Sequence, residues 1–84
     1  MYNLTVYVTT TCGACDLILN WFLENRVAVT EVINVDLGEN SGAIDMLRDR
    51  GFMQFPVVSL NQFDFAFSGF ELDKMEEIKK RIGG

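Results

Sequence analysis

Seven stretches of the chain space their apolar residues regularly enough to predict secondary structure. Leu4 to Val8, bounded by Asn3 and a run of threonines, predicts a strand. From Ala14 to Arg26, Leu17, Ile18, Trp21 and Phe22 recur at helical spacing. Their broad stripe predicts a helix well covered by the rest of the domain. Val29 to Val35 alternates as a second strand. Ser41 is placed to cap a second helix running through Arg50 and stopped by Gly51. Pro56 to Leu60 and Phe63 to Phe67 predict a hairpin turning on Asn61-Gln62, with Phe63, Phe65 and Phe67 on one face. Asp73-Lys74-Met75-Glu76 has the pattern of a cap opening a last helix, which buries Met75, Ile78 and Ile82.

The order is therefore β-α-β-α-β-β-α. Both β-α-β connections are expected to join parallel neighbours and to lay helices on the sheet. An α/β domain follows, a four-stranded mixed sheet flanked by three helices. No repeat, low-complexity segment or linker divides residues 1–84, so one domain is expected.

Composition sharpens this picture by exclusion. The 84 residues are 49% hydrophobic and 23% charged, the balance of a compact globule rather than a disordered chain. The net charge of −5 argues against nucleic acid, whose phosphates need clustered Lys and Arg. The one basic cluster, Lys79-Lys80-Arg81, falls in the last turn of the last helix, where cations meet the negative helix end. No apolar run approaches the ~20 residues of a membrane span. Met1 to Thr10 has no signal-peptide pattern, so a cytoplasmic protein is expected.

In a reducing cytosol two cysteines point to catalysis or metal rather than a permanent crosslink. They stand in T-T-C-G-A-C, Thr10 to Cys15, at the seam between the first strand and the first helix. Zinc wants four protein ligands, or three and water, and this chain has two cysteines and no histidine. The missing histidine also removes a protease-type Cys-His nucleophile. A structural disulfide closing so short a loop would add little stability. A redox dithiol is the reading that remains favoured, and C-x-x-C beside a β-α-β pattern supports it. At a helix start, the Cys12 sulfur would meet unpaired N–H groups and the positive dipole end. That end, worth about 0.3–2 kcal/mol, would draw a thiol from about 8.5 towards about 7. No Lys or Arg precedes Arg26 and Asp16 adjoins Cys15, so the expected lowering is moderate.

Two further features are ambiguous from the residues alone. Pro56, the single proline, opens a strand, where an ordinary trans bond is tolerated and statistically favoured. In Ser68-Gly69-Phe70, the glycine either relaxes a turn or lets a partner's backbone approach.

Taken together, V-Y-V-T-T-T-C-G-A-C, E-N-R at 24–26, I-N-V-D at 33–36, L-R at 47–48, G-F-M-Q-F-P-V-V at 51–58 and S-G-F at 68–70 resemble the glutaredoxin branch of the thioredoxin-like superfamily. Within it the chain is most similar to the NrdH-type redoxins, small electron donors to ribonucleotide reductase. The resemblance implies a thioredoxin-like fold; no cofactor, no metal and a monomer are expected. It implies Cys12 as attacking thiolate and Cys15 as resolving thiol. It further implies a cis bond before Pro56, with Phe55 offering its backbone to a substrate strand. Thr11, Gly13, Ala14, Val57, Ser68, Gly69 and Phe70 would border the same partner groove, with Phe70 partly exposed. Either thioredoxin reductase or glutathione would serve as reductant. An iron–sulfur cluster held through Cys12 across a dimer is a reading from another class.

The chain departs from that family at three places. Gly13-Ala14 stands where glutaredoxins usually carry Pro-Tyr and the NrdH type commonly a Gln. Glu71-Leu72-Asp73 replaces a basic residue and Pro before the Asp. Thr9, Thr10 and Thr11 precede Cys12 where glutathione-using members place a cation, which weighs against glutathione and its two carboxylates. Arg48 or Arg50 could supply that charge from the second helix.

Overall fold

The first strand, β1 (Leu4–Val8), is buried along its whole length, so its two faces must both be covered. A computed structural model describes residues 1–83 and shows how. Leu4, Val6 and Val8 face a core built with Ile18 and Phe22 of α1 (Gly13–Glu24) and Met75 and Ile78 of α3 (Leu72–Gly83). Tyr7 faces the other way, into a smaller core with Val35, Val57 and Leu47 of α2 (Ser41–Asp49). Ile18 and Phe22 are both fully buried, each contributing about 1.5–3 kcal/mol of apolar transfer.

The sheet order is β2-β1-β3-β4, with β2 (Glu31–Asn34), β3 (Val57–Leu60) and β4 (Phe65–Ser68). β1 pairs parallel with β2 and antiparallel with β3, and β3 pairs antiparallel with β4. The mixed four-stranded sheet with three helices is as expected.

The second β-α-β connection is not. β3 lies antiparallel to β1, hence also to β2, and β1 stands between them. After α2 the chain doubles back, with Phe52, Met53 and Phe55 lining one pocket with Ile44 and Arg48 of that helix. β3 therefore enters the sheet at the end where β2 leaves it.

Other boundaries shift for local reasons. Ser41 does not cap α2 but is its first residue, because a 3-10 turn (Gly38–Asn40) precedes it and Asn40 Nδ2 donates to Asn34 O at 3.0 Å. Gly51, at φ +91°, ends α2 as expected. β2 begins only at Glu31, because Thr30 Oγ1 accepts the Leu4 N–H and replaces a ladder bond. Asp73 lies inside the first turn of α3 rather than capping it. The cover expected over α1 is incomplete: Leu17 is 60% and Leu23 76% exposed.

The hairpin departs most. Its loop holds four residues, and Asn61, Gln62 and Phe63 all adopt left-handed backbone, φ 53°, 56° and 68°. Phe63 thus leaves the face shared by Phe65 and Phe67 and joins the other core. Its ring stacks on Tyr7 at 6.1 Å and lies under the Arg50 guanidinium at 4.1 Å. The Phe63 N–H donates to Ser59 Oγ at 2.9 Å, which helps hold this strained turn.

Candidate functional site

Strand register alone brings the distant site residues together. Tyr7, near the end of β1, pairs with Val57 at the start of β3, and Val57 pairs with Ser68 at the end of β4. The loop entering Cys12, the Phe55-Pro56 step and the Ser68–Phe70 loop therefore share one end of the sheet. A Gly69 N–H to Pro56 O bond of 2.8 Å extends the β3–β4 pairing into it.

Cys12 is the N-cap of α1, in extended backbone at φ −144°, ψ 99°. Its Sγ accepts the Cys15 N–H at 3.2 Å, the bond a serine oxygen makes in an ordinary cap. Cys12 and Cys15 are joined as a disulfide with Cα atoms 5.3 Å apart. The pair is asymmetric. Cys12 is half-buried, whereas Cys15 is 2% exposed and packs in the main core. An incoming sulfur can reach Cys12 but not Cys15. Once reduced, a Cys12 thiolate would sit on the unpaired N–H groups of the helix start, which favour the charged form.

The lead-in to Cys12 is held by a residue that sequence reasoning did not single out for a role. Asp36 Oδ2 accepts the Thr10 N–H at 2.7 Å, and Asn34 Nδ2 lies 3.5 Å from Thr10 Oγ1. Asp36 is itself set by its own N–H, which donates to Asn34 Oδ1 at 2.9 Å. The signal available was Asn-x-Asp at a strand end, a spacing that forms an Asx turn.

The Phe55–Pro56 bond is cis. No backbone group of Met53, Gln54 or Phe55 pairs within the described chain, so this bend ahead of β3 leaves its N–H and C=O groups free. Gly69 has φ +82°, and a Cβ there would sit 3.7 Å from Gln54 Oε1. Its glycine is required by backbone conformation rather than by space. Phe70 is 41% exposed and Met53 74%, which gives this end an apolar surface. Thr11 is exposed beside Cys12, and Gly13 has nothing within 4 Å of its Cβ position. Ala14 is half-buried. Pro56 and Val57 are both fully buried, Val57 against Tyr7 and Leu47.

The two candidate cations differ. Arg50 is occupied over Phe63, while Arg48 lines the Phe55 pocket and pairs with Asp45 at 3.4 Å. Among the described residues no group of three His, Cys, Asp or Glu is placed to hold a metal ion, and no helix is long and apolar enough to cross a membrane.

No family model matches the chain. The glutaredoxin-like protein NrdH of Salmonella typhimurium is 34% identical over 76 residues, 90% of this chain and 88% of that protein. The NrdH-redoxin of Escherichia coli, described as glutaredoxin-like with a thioredoxin-like activity profile, superposes with a TM-score of 0.79. It is 30% identical, over 90% of this chain and 93% of its own. A glutaredoxin of Archaeoglobus fulgidus gives 0.68 at 26% identity, over 100% and 89% of the two chains. The architecture is thioredoxin-like.

Proposed function

The chain belongs to the glutaredoxin-like proteins of the NrdH type and is a thiol–disulfide oxidoreductase; from that premise we propose that it donates electrons, as a cytoplasmic monomer, to a protein disulfide, that of ribonucleotide reductase. The observation that carries the mechanism is the asymmetry of the pair: an accessible sulfur capping a helix, joined to a buried one. The Cys12 thiolate attacks one sulfur of the partner's disulfide, and the other partner sulfur leaves as a thiolate. A mixed disulfide results. Cys15 then loses its proton and attacks Cys12 Sγ, releasing the second partner thiol and forming the Cys12–Cys15 bond. Two electrons pass to the partner, whose two thiolates take up protons.

The partner's cysteine segment lies along Met53–Phe55, taking up their free backbone groups, between Phe70 on one side and Thr11, Gly13 and Ala14 on the other. The bare Gly13 leaves room above the sulfur. Gly69 N–H holds Pro56 O, and Ser68 pairs with Val57 beside it, at the rim of the groove. A flavin-dependent thioredoxin reductase restores the dithiol. Glutathione is disfavoured, because its carboxylates would meet no cation in the loops around Cys12, Arg50 lies over Phe63 and Arg48 is paired with Asp45.

Cys15→Ser should accumulate the mixed disulfide, visible as a partner-sized gel shift reversed by reductant. Cys12→Ser should abolish turnover, and full activity in that variant refutes the assignment. NADPH oxidation coupled through thioredoxin reductase should exceed oxidation coupled through glutathione and its reductase.

A further inference from the structure

We propose that the cysteine end of the molecule selects polypeptide disulfides flanked by lysine or arginine, a choice of substrate that rests on the oxidoreductase reading. Four segments meet at this end: residues 9–16, 34–40, 52–57 and 68–74. They contain Asp16, Asp36, Glu39, Glu71 and Asp73 against the single cation Lys74, a net of −4 out of the chain's −5. The rest of the molecule is close to neutral, so the excess charge is concentrated where the chemistry occurs.

None of these five carboxylates is spent on an ion pair. The ion pairs among the described residues are Arg48–Asp45 and Arg81–Glu77. Asp36 is engaged with a backbone N–H, which leaves its charge in place. All five side chains belong to exposed residues. Besides Lys74, Arg48 of α2 lines the pocket of Met53 and Phe55, and Asp45 offsets its charge.

Beside this charge lies surface suited to a peptide. Met53, Phe70 and Leu72 are 74%, 41% and 50% exposed, next to the free backbone of 53–55. The Ser68–Phe70 loop is held to that stretch through Gly69 and Pro56, and Glu71 and Asp73 follow it directly. An added strand would place apolar side chains on Met53 and Phe70, with charged ones on the carboxylate rim. Lys and Arg are attracted there, while Asp and Glu are repelled. Such fields act mainly on encounter rate, raising it by about 10–1,000-fold, and salt screens them.

The test uses the reduced full chain and two disulfide peptides of one sequence, carrying either two Lys or two Glu beside the cysteine. Uncharged hydroxyethyl disulfide serves as reference for each protein. At low salt the Lys peptide should react about tenfold faster than the Glu peptide, and the gap should close towards about 1 M salt. In the double variant Glu71→Lys, Asp73→Lys, rates normalised to hydroxyethyl disulfide should shift in favour of the Glu peptide by a similar factor. Equal rates, or a faster Glu peptide with the native chain, overturn the proposal while leaving the oxidoreductase reading intact. Failure to reduce any of the three disulfides overturns that reading and the proposal with it.

Discussion

The two ends of the sheet are made from the same four strands and handle their polar groups in opposite ways. At the hairpin end the groups are matched: Asn3 N–H donates to Asn61 Oδ1 at 2.9 Å, and Asn61 N–H donates back to Asn3 O at 2.7 Å. Tyr2 O–H donates to Ala28 O at 2.7 Å, and Phe63 leaves this hairpin to pack its ring back along the sheet on Tyr7, Phe52 and Arg50. At the cysteine end, the backbone of 53–55 is free, apolar side chains are exposed and carboxylates stand without cations. One end is satisfied internally and holds the fold. The other has been left for a partner to complete.

That division can be tested from the closed end first. Phe63→Ala should cost about 2 kcal/mol, below the 3–5 kcal/mol of a fully buried Phe because Phe63 is half-buried. For a domain this size the melting temperature should fall by about 10 °C. The rate of disulfide reduction at 25 °C should hardly change, and a parallel loss of rate would break the separation of the two ends.

A smaller effect belongs to the open end. Asp36→Ala removes the acceptor for Thr10 N–H and should cost about 1 kcal/mol in chemical denaturation, the charged bond being partly exposed. Peptide-disulfide reduction should slow about threefold as the lead-in to Cys12 loosens, roughly the factor that 0.6–0.7 kcal/mol gives. Asp36→Asn keeps an acceptor oxygen and should restore most of that rate; equal losses in both variants would mean the carboxylate acts by charge rather than by position.

Tyr7, near the cysteine end of β1, should give the smallest signal. Burial raises its hydroxyl pKa above the ordinary 10.0, the Glu31 carboxylate adds to this, and the Arg50 guanidinium opposes it. The folded state therefore holds the phenol proton more tightly than the unfolded chain does. The stability this supplies is complete below pH 10.0 and lost as pH rises through the folded pKa. Denaturation midpoints of Tyr7→Phe should fall less steeply between about pH 9 and about pH 11 than those of the native chain. An identical slope would show that another group governs the alkaline limb.

Much of the open end is legible in the sequence. β1 was readable to the residue, because its β-forming run is framed by polar neighbours, and Cys12 at the start of a helix followed from its place at a strand–helix seam. What could not be read were features set by contacts between distant segments. An alternating Phe63-Phe65-Phe67 reads as one face, and only packing against Tyr7 and Phe52 takes Phe63 out of the strand. Likewise, nothing within α2 shows that the chain doubles back before Pro56, so its pattern reads as a parallel β3 where the strand is antiparallel. Local hydrophobicity could not show that Leu17 and Leu23 face outward on α1, since exposure depends on what packs there. Asp36 was visible as part of a motif, but its bond spans 26 positions in sequence.

The sulfur cap on α1 has a consequence of its own. In most helices the capping atom is a spectator oxygen whose charge never changes, so the first turn is equally well tied at all times. Here the cap and the electron-carrying atom are one and the same. In the reduced chain the same Cys15 N–H would face a thiolate, a stronger acceptor than the bonded sulfur that it meets here, so the strength of this cap depends on redox state.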